Sequence, residues 1–193
     1  MSRKSRRVVF ELDAKGLKEL PEAELNAVLR GADEIIGRGG RTLLTRILRG
    51  SRIKKVLEYE LNQSPVYGYF HNLSDHDTLA RIDWAILHGY LRIEYNHRLP
   101  VLVFTQKGWE IERNNYANEL LEGFDEILRD GPPYPMEYLK DRDRGMILLL
   151  LDKTGATGDP RYIPLLEAWR NVDYQKVRRR IGQVIHQLTE CNV

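Results

Sequence analysis

Two alternating runs, Tyr90–Tyr95 (YLRIEY) and Val101–Thr105 (VLVFT), constrain this chain more than any other feature. Their period of two marks half-buried strands, and Asn96–Pro100 between them forms a polar connection, so the pair predicts a β-hairpin. Everything around it reads with helical period. Leu20–Ile36 carries Leu25, Val28 and Leu29 on one stripe, with Pro21, Glu22 and Glu24 suited to its first turn. Gly37, Gly39 and Gly40 interrupt, and Thr42–Arg49 resumes with Leu43, Leu44, Ile47 and Leu48 inward. Ser51 is placed to cap a third helix using Ile53, Val56, Leu57 and Leu61. Ser74 with Asp77 opens a fourth that stops at Gly89. Helices followed by a hairpin are the order of a winged helix. The expected class is mainly α with a small β-hairpin wing.

Beyond the hairpin, Trp109–Arg129 is a long acidic helix, and Gly131-Pro-Pro-Tyr-Pro135 cannot continue it. Three segments are expected: an N-terminal extension over 1–36 with a strand or arm at Val8–Leu12, a winged helix over 37–129, and a helical unit over 130–193. In the last, Asp159-Pro160 starts one helix and Asp173 caps another that bears Val177, Ile181, Val184, Ile185 and Leu188. The phrase from Asp159 to Leu188 resembles one HEAT-type repeat, an antiparallel hairpin too short to be a solenoid by itself.

Charge separates the chain in a second way. Residues 1–55 hold 14 Lys/Arg against 7 Asp/Glu, whereas 56–193 hold 16 against 21. Gly37–Lys55 contains seven cations and no acid, a stretch suited to a polyanion. The longest apolar run, Met146–Leu151, is far below the roughly 20 residues that span a bilayer, and the start lacks a signal-type core. A cytoplasmic protein is expected. The single cysteine, Cys191, excludes intrachain disulfides and a cysteine-based zinc site.

Within the basic stretch, Arg49-Gly50-Ser51-Arg52-Ile53-Lys54-Lys55 is the most informative piece. Cations oppose the partial positive charge of a helix start, by a few tenths of a kcal/mol each, unless an anion sits there. A phosphate on the Ser51 hydroxyl, the free amides and Arg52, Lys54 and Lys55 removes the conflict, with Arg38, Arg41, Arg46 and Arg49 close in sequence. A mildly unfavourable exposed helix start is the plain alternative.

Four features in order then resemble a known family. Arg49-Gly50-Ser51, the aliphatic-x-x-Tyr67-Gly68 segment, the Gly89-Tyr90-Leu91 turn and Thr105-x-Lys107-Gly108 resemble the RecQ C-terminal (RQC) winged helix over about Arg41 to Arg113. That resemblance implies a non-catalytic DNA-binding protein favouring forked or branched DNA, as in repair and recombination. It implies phosphate contacts at Arg49, Ser51, Arg52 and Lys54, with Lys107 beside the wing. The wing tip is Tyr95–Leu99, where Tyr95 or His97 is the candidate to stack on bases and Arg98 adds a cation. The helicase P-loop is missing, since Gly37-Arg-Gly-Gly lacks its lysine, and so is the family's four-cysteine zinc module. A stand-alone minor RQC protein without motor, cofactor or metal is expected, with a protein partner for the C-terminal helices.

Two rivals stay open. One is a transcription factor using Asp75–His88 for recognition, though Asp75, Asp77 and Asp83 repel phosphate. The other is an RNA- or ribosome-associated interaction protein using the same basic face. His71 and His76 give a weaker metal-site reading, and Arg178–Arg180 reads as a solvated face.

Overall fold

The computed structural model describes residues 10–190. Among the described residues eight α-helices and one hairpin run in the order α1 (Glu22–Asp33), α2 (Arg41–Leu48), α3 (Lys54–Glu58), α4 (Asp75–Leu87), β1 (Leu91–Asn96), β2 (Leu99–Phe104), α5 (Gln106–Asp130), α6 (Arg144–Ala156), α7 (Ile163–Val172) and α8 (Gln175–Glu190). Single turns of 3-10 helix lie at Leu61–Gln63, Glu137–Leu139 and Pro160–Tyr162. The class is mainly α with a two-stranded antiparallel wing. Among the described residues no helix is long and apolar enough to cross a membrane.

The chain forms two compact units, Met1–Glu112 and Arg113–Val193. In the first, Val28, Leu29, Leu44, Ile47, Leu48, Ile82, Leu91 and Leu102 are sealed from solvent in one core. This changes the expected N-terminal boundary: α1 is no extension, because its apolar stripe packs on α2 and α4. The expected strand at Val8–Leu12 falls partly outside the described residues, and Phe10–Leu12 has no regular structure.

The wing is tighter than its sequence implies. β1 and β2 pair from Leu91↔Phe104 to Asn96↔Leu99, leaving only His97 and Arg98 in the turn. His97 takes the left-handed φ of 56° that such a turn demands. A third chain segment adds to β2: Gly37 N–H donates to the Leu102 carbonyl at 2.9 Å, and Leu102 N–H donates to Gly39 at 2.8 Å. The glycines that break the helical pattern therefore supply edge pairing. Gly40 has no room for a side chain, since a Cβ there would meet the Pro100 carbonyl oxygen at 2.6 Å.

In the second unit, Trp169, Phe124, Leu150, Leu165, Ile181 and Val184 form a separate core from α5, α6, α7 and α8. Ala117, Leu120 and Phe124 of α5 belong to it. For that reason the expected edge at Gly131–Pro135 is displaced to Glu112/Arg113. The proline-rich stretch is a loop inside the second unit, followed directly by the buried Met136 and Leu139. Asp173 ties the last two helices: its carboxylate accepts from Trp169 Nε1 at 2.7 Å and from Tyr174 N–H at 2.6 Å.

Candidate nucleic-acid interface

Arg49-Gly50-Ser51 ends a helix instead of opening one. Gly50 N–H donates to Ile47 and Ser51 N–H donates to Arg46, both at 2.9 Å, which is the Schellman pattern on the end of α2. Gly50 supplies the left-handed residue with φ 71°. Ser51 is thus no N-cap: α3 is capped by Ile53 without side-chain help and runs for five residues only. Ile53 and Leu57, expected inward, are 42% and 46% exposed. The local reason is that the α2 cap already consumes the backbone through Ser51, so α3 starts late.

The Tyr67-Gly68 element locks this cap. Gly68 N–H donates to Ile47 at 3.0 Å, Phe70 N–H to Leu48 at 2.7 Å, and Tyr67 O–H to Gly50 at 2.8 Å. A Cβ on Gly50 would lie 3.1 Å from the Gly68 Cα, so two glycines let the strands of chain cross. Gly89-Tyr90 repeats the device at the end of α4, with Gly89 N–H on Ile86 and Tyr90 N–H on Ala85. There the Thr105 hydroxyl donates to Gly89 at 2.6 Å and accepts from Gly108 N–H at 3.1 Å, joining that cap to the start of α5. Gly108 is obligatory: a Cβ would sit 2.0 Å from the Tyr90 carbonyl oxygen.

The basic stretch divides into spent and unspent cations. Arg41 donates to both oxygens of the buried Asp83 at 2.6 and 2.7 Å, reaches the Glu11 carbonyl, and lies over the Phe10 ring. Arg46 pairs with Asp75 at 2.7 Å. Arg49 pairs with Asp75 at 3.2 Å and donates to the Phe70 and His71 carbonyls. Arg38 donates to the Glu34 carbonyl yet stays exposed. Lys107 donates to the His88 carbonyl and lies 3.7 Å from the Tyr90 ring centroid. By contrast Arg52, Lys55 and Arg98 are exposed, and their side chains make no ion pair or hydrogen bond among the described residues. Lys54 reaches only Glu58, at 3.3 Å, and is 86% exposed. Ser51 is half-buried beside them.

At the wing the two aromatic candidates part company. Tyr95 is half-buried and stacks on Phe10 with centroids 6.4 Å apart, whereas His97 stands exposed at the turn. Between wing and α2 lies a groove of about 290 Å³ lined by Arg38, Lys55, Ile93, Leu99 and Leu102 among others. Leu99 on its rim is 68% exposed. Sequence reading missed this groove and the partners Asp75 and Asp83. Their only signal was an aspartate at helical spacing from apolar neighbours, where a buried charge implies a cation opposite.

A family model for the RQC domain matches residues 22–120, just over half of the chain. The chain belongs to the RQC domain family. That match starts at α1, in agreement with the core that α1 shares with the rest of the first unit. No curated protein and no solved structure was found to be similar to the chain. In this RQC domain the four motif elements are now two joints, one at each helix cap, and neither spends the side chain of Ser51 or Arg52.

The remaining constellations resolve structurally. The first turn of α4 is consumed by scaffold pairs, Asp75 with Arg46 and Arg49, Asp77 with Lys15. The Asp77 carboxyl lies below its ordinary range, first because Ser74 hydrogen-bonds it and then because Lys15 does. Asp83, on the same helix, is buried. The helix therefore offers acids and core residues where a base-reading helix needs donors. His71 leans on the Gly68 carbonyl at 2.9 Å, His76 is exposed, and the described residues hold no group of three or more metal-ligating side chains.

Proposed function

We propose that this RQC domain is a non-catalytic DNA-binding module that grips backbone phosphates with Ser51, Arg52, Lys54 and Lys55, flanked by Arg38 and Arg98. One observation carries the reading: Arg52, Lys55 and Arg98 have no side-chain partner among the described residues, Lys54 is 86% exposed, and Ser51 and Arg52 directly follow a cap that two glycines and the Arg49–Asp75 pair hold in place. A backbone already fixed by the cap has little freedom to lose when the side chains meet a phosphate, and phosphate contacts of this kind fix position without reading sequence. Arg41, Arg49 and Lys107 support the surface from behind. The wing, with His97 at its tip, supplies the preference for forks over plain duplex, and a role in repair or recombination follows from such a target.

The test is Arg52→Ala/Lys54→Ala/Lys55→Ala. All three residues are exposed, so the melting temperature stays within the range of a change of about 0.5 kcal/mol. Duplex affinity falls at least about tenfold, and the slope of log affinity against log salt flattens by about 2.7, or 0.9 per lost phosphate contact. An unchanged slope in a folded protein removes the proposal. Tighter binding to structured RNA than to any DNA replaces the ligand.

A further inference from the structure

The second unit is close to neutral, with 12 Lys/Arg against 13 Asp/Glu over residues 113–193. Its cations are nonetheless segregated. A broad open groove of about 830 Å³ between the start of α6 and the start of α8 is lined by Arg144, Leu148, Lys176, Arg178, Arg179 and Arg180, and no acid lines it. Elsewhere in the unit Arg161, Arg129 and His186 have carboxylate partners at 2.6, 3.8 and 3.2 Å.

Two of the groove's arginines are braced. Arg178 donates to the Asp173 carbonyl at 2.6 Å, and Arg180 donates to Asp152 and Gln183. The other three cations, Arg144, Lys176 and Arg179, are exposed and unpaired among the described residues. Lys176, Arg179 and Gln183 fall on one face of α8 at spacings of three and four, away from the buried Val177, Ile181, Val184 and Leu188. Like charges so placed repel one another, and braced guanidiniums prevent the repulsion from dispersing. A linear polyanion relieves it; water and salt do so only partly.

We propose that this groove binds the sugar-phosphate backbone of DNA, so that the chain carries a second DNA contact apart from the one on its first unit. The partner is fixed by chemistry: several cations spread along two helices match repeated phosphates better than a single small anion, and the guanidinium forks suit phosphate oxygens. A single surface of this kind makes a binder; two make a protein that holds two stretches of backbone.

Full-length Arg144→Ala/Lys176→Ala/Arg179→Ala is compared with wild type and with Arg52→Ala/Lys54→Ala/Lys55→Ala, using fluorescence anisotropy on a 40-base-pair duplex across a salt series. The second-unit variant melts normally, binds roughly tenfold more weakly and loses about 2.7 from the salt slope. The first-unit variant keeps a residual slope that disappears when the two sets are combined. An unchanged slope in the second-unit variant overturns the proposal while leaving the first surface standing. An unchanged slope in the first-unit variant removes the earlier reading instead. Poly-glutamate binding that the second-unit variant abolishes, with its DNA binding intact, assigns the groove to an acidic protein and overturns the proposal as well.

Discussion

The seam between α2 and α4 and the segment that follows α2 carry cations only a few residues apart, and use them in opposite ways. In the seam Arg41, Arg46 and Arg49 face Asp83 and Asp75, with side chains 16%, 39% and 26% exposed. In the segment after α2, Arg52 and the first two residues of α3, Lys54 and Lys55, face water. A run of seven cations without an acid thus contains a scaffold half and a half left facing water, the ligand half of the proposed reading. The acids that decide which is which come from α4, more than twenty residues later. Charge counted along a sequence measures what a segment carries; charge left after folding measures what it can offer a partner.

Arg41→Ala is the severest way to break that comparison. It strands Asp83, 2% exposed, without its guanidinium. Losing one partner of a buried pair costs about 3–5 kcal/mol, so a drop in unfolding free energy of that size, measured by chemical denaturation, is expected. The salt slope of the protein that remains folded should hold. A stable Arg41→Ala protein with a reduced slope would falsify the division, because Arg41 would then belong to the ligand half.

Arg49→Ala sharpens it at the border. Arg49 is the family motif's own arginine, yet it closes the Phe70 and His71 carbonyls and shares Asp75 with Arg46. Because the site is partly open and Arg46 still serves Asp75, the expected loss is about 1–2 kcal/mol. Binding should weaken only as far as the loop around Gly50 loosens, with a slope change below one phosphate's worth. Measuring chemical denaturation and salt-dependent anisotropy on one preparation separates the two. A full unit of slope with unaltered stability would return Arg49 to the interface.

What the sequence revealed and what it concealed follow one physical line. Features that depend on a few neighbouring residues were legible: the Ser74 cap accepts Asp77 N–H at 3.1 Å, the hairpin forms, and Gly89 ends α4. Ser51 was misassigned as the cap of the following helix because a serine between two helical patterns fits either end, and only its bond back to Arg46 decides it. The domain edge was misplaced for a similar reason. Prolines end a helix, but which core a helix serves is set by Phe124 and Leu120 meeting residues that lie far along the chain. The groove beneath the wing depends on strand register, which the turn length sets, and the turn proved shorter than the polar segment around it.

The smallest expected effect tests whether the wing reads structure. Tyr95 cannot be removed cleanly, since it stacks on Phe10 beneath the hairpin. His97 can, through His97→Gly. At φ 56° a glycine is easier to place than a histidine, and its extra freedom when unfolded works against that gain, so stability should move by no more than about 0.5 kcal/mol. The ring is lost while the turn geometry is kept. If His97 stacks on a base exposed at a junction, at the low end of about 1–3 kcal/mol, the ratio of fork to duplex affinity falls about fivefold with duplex affinity unchanged. Equal weakening on both substrates would mean that the tip contributes affinity alone. In that case discrimination would have to come from the exposed Leu99 or the groove behind it, and Leu99→Ser would be the variant that moves the ratio.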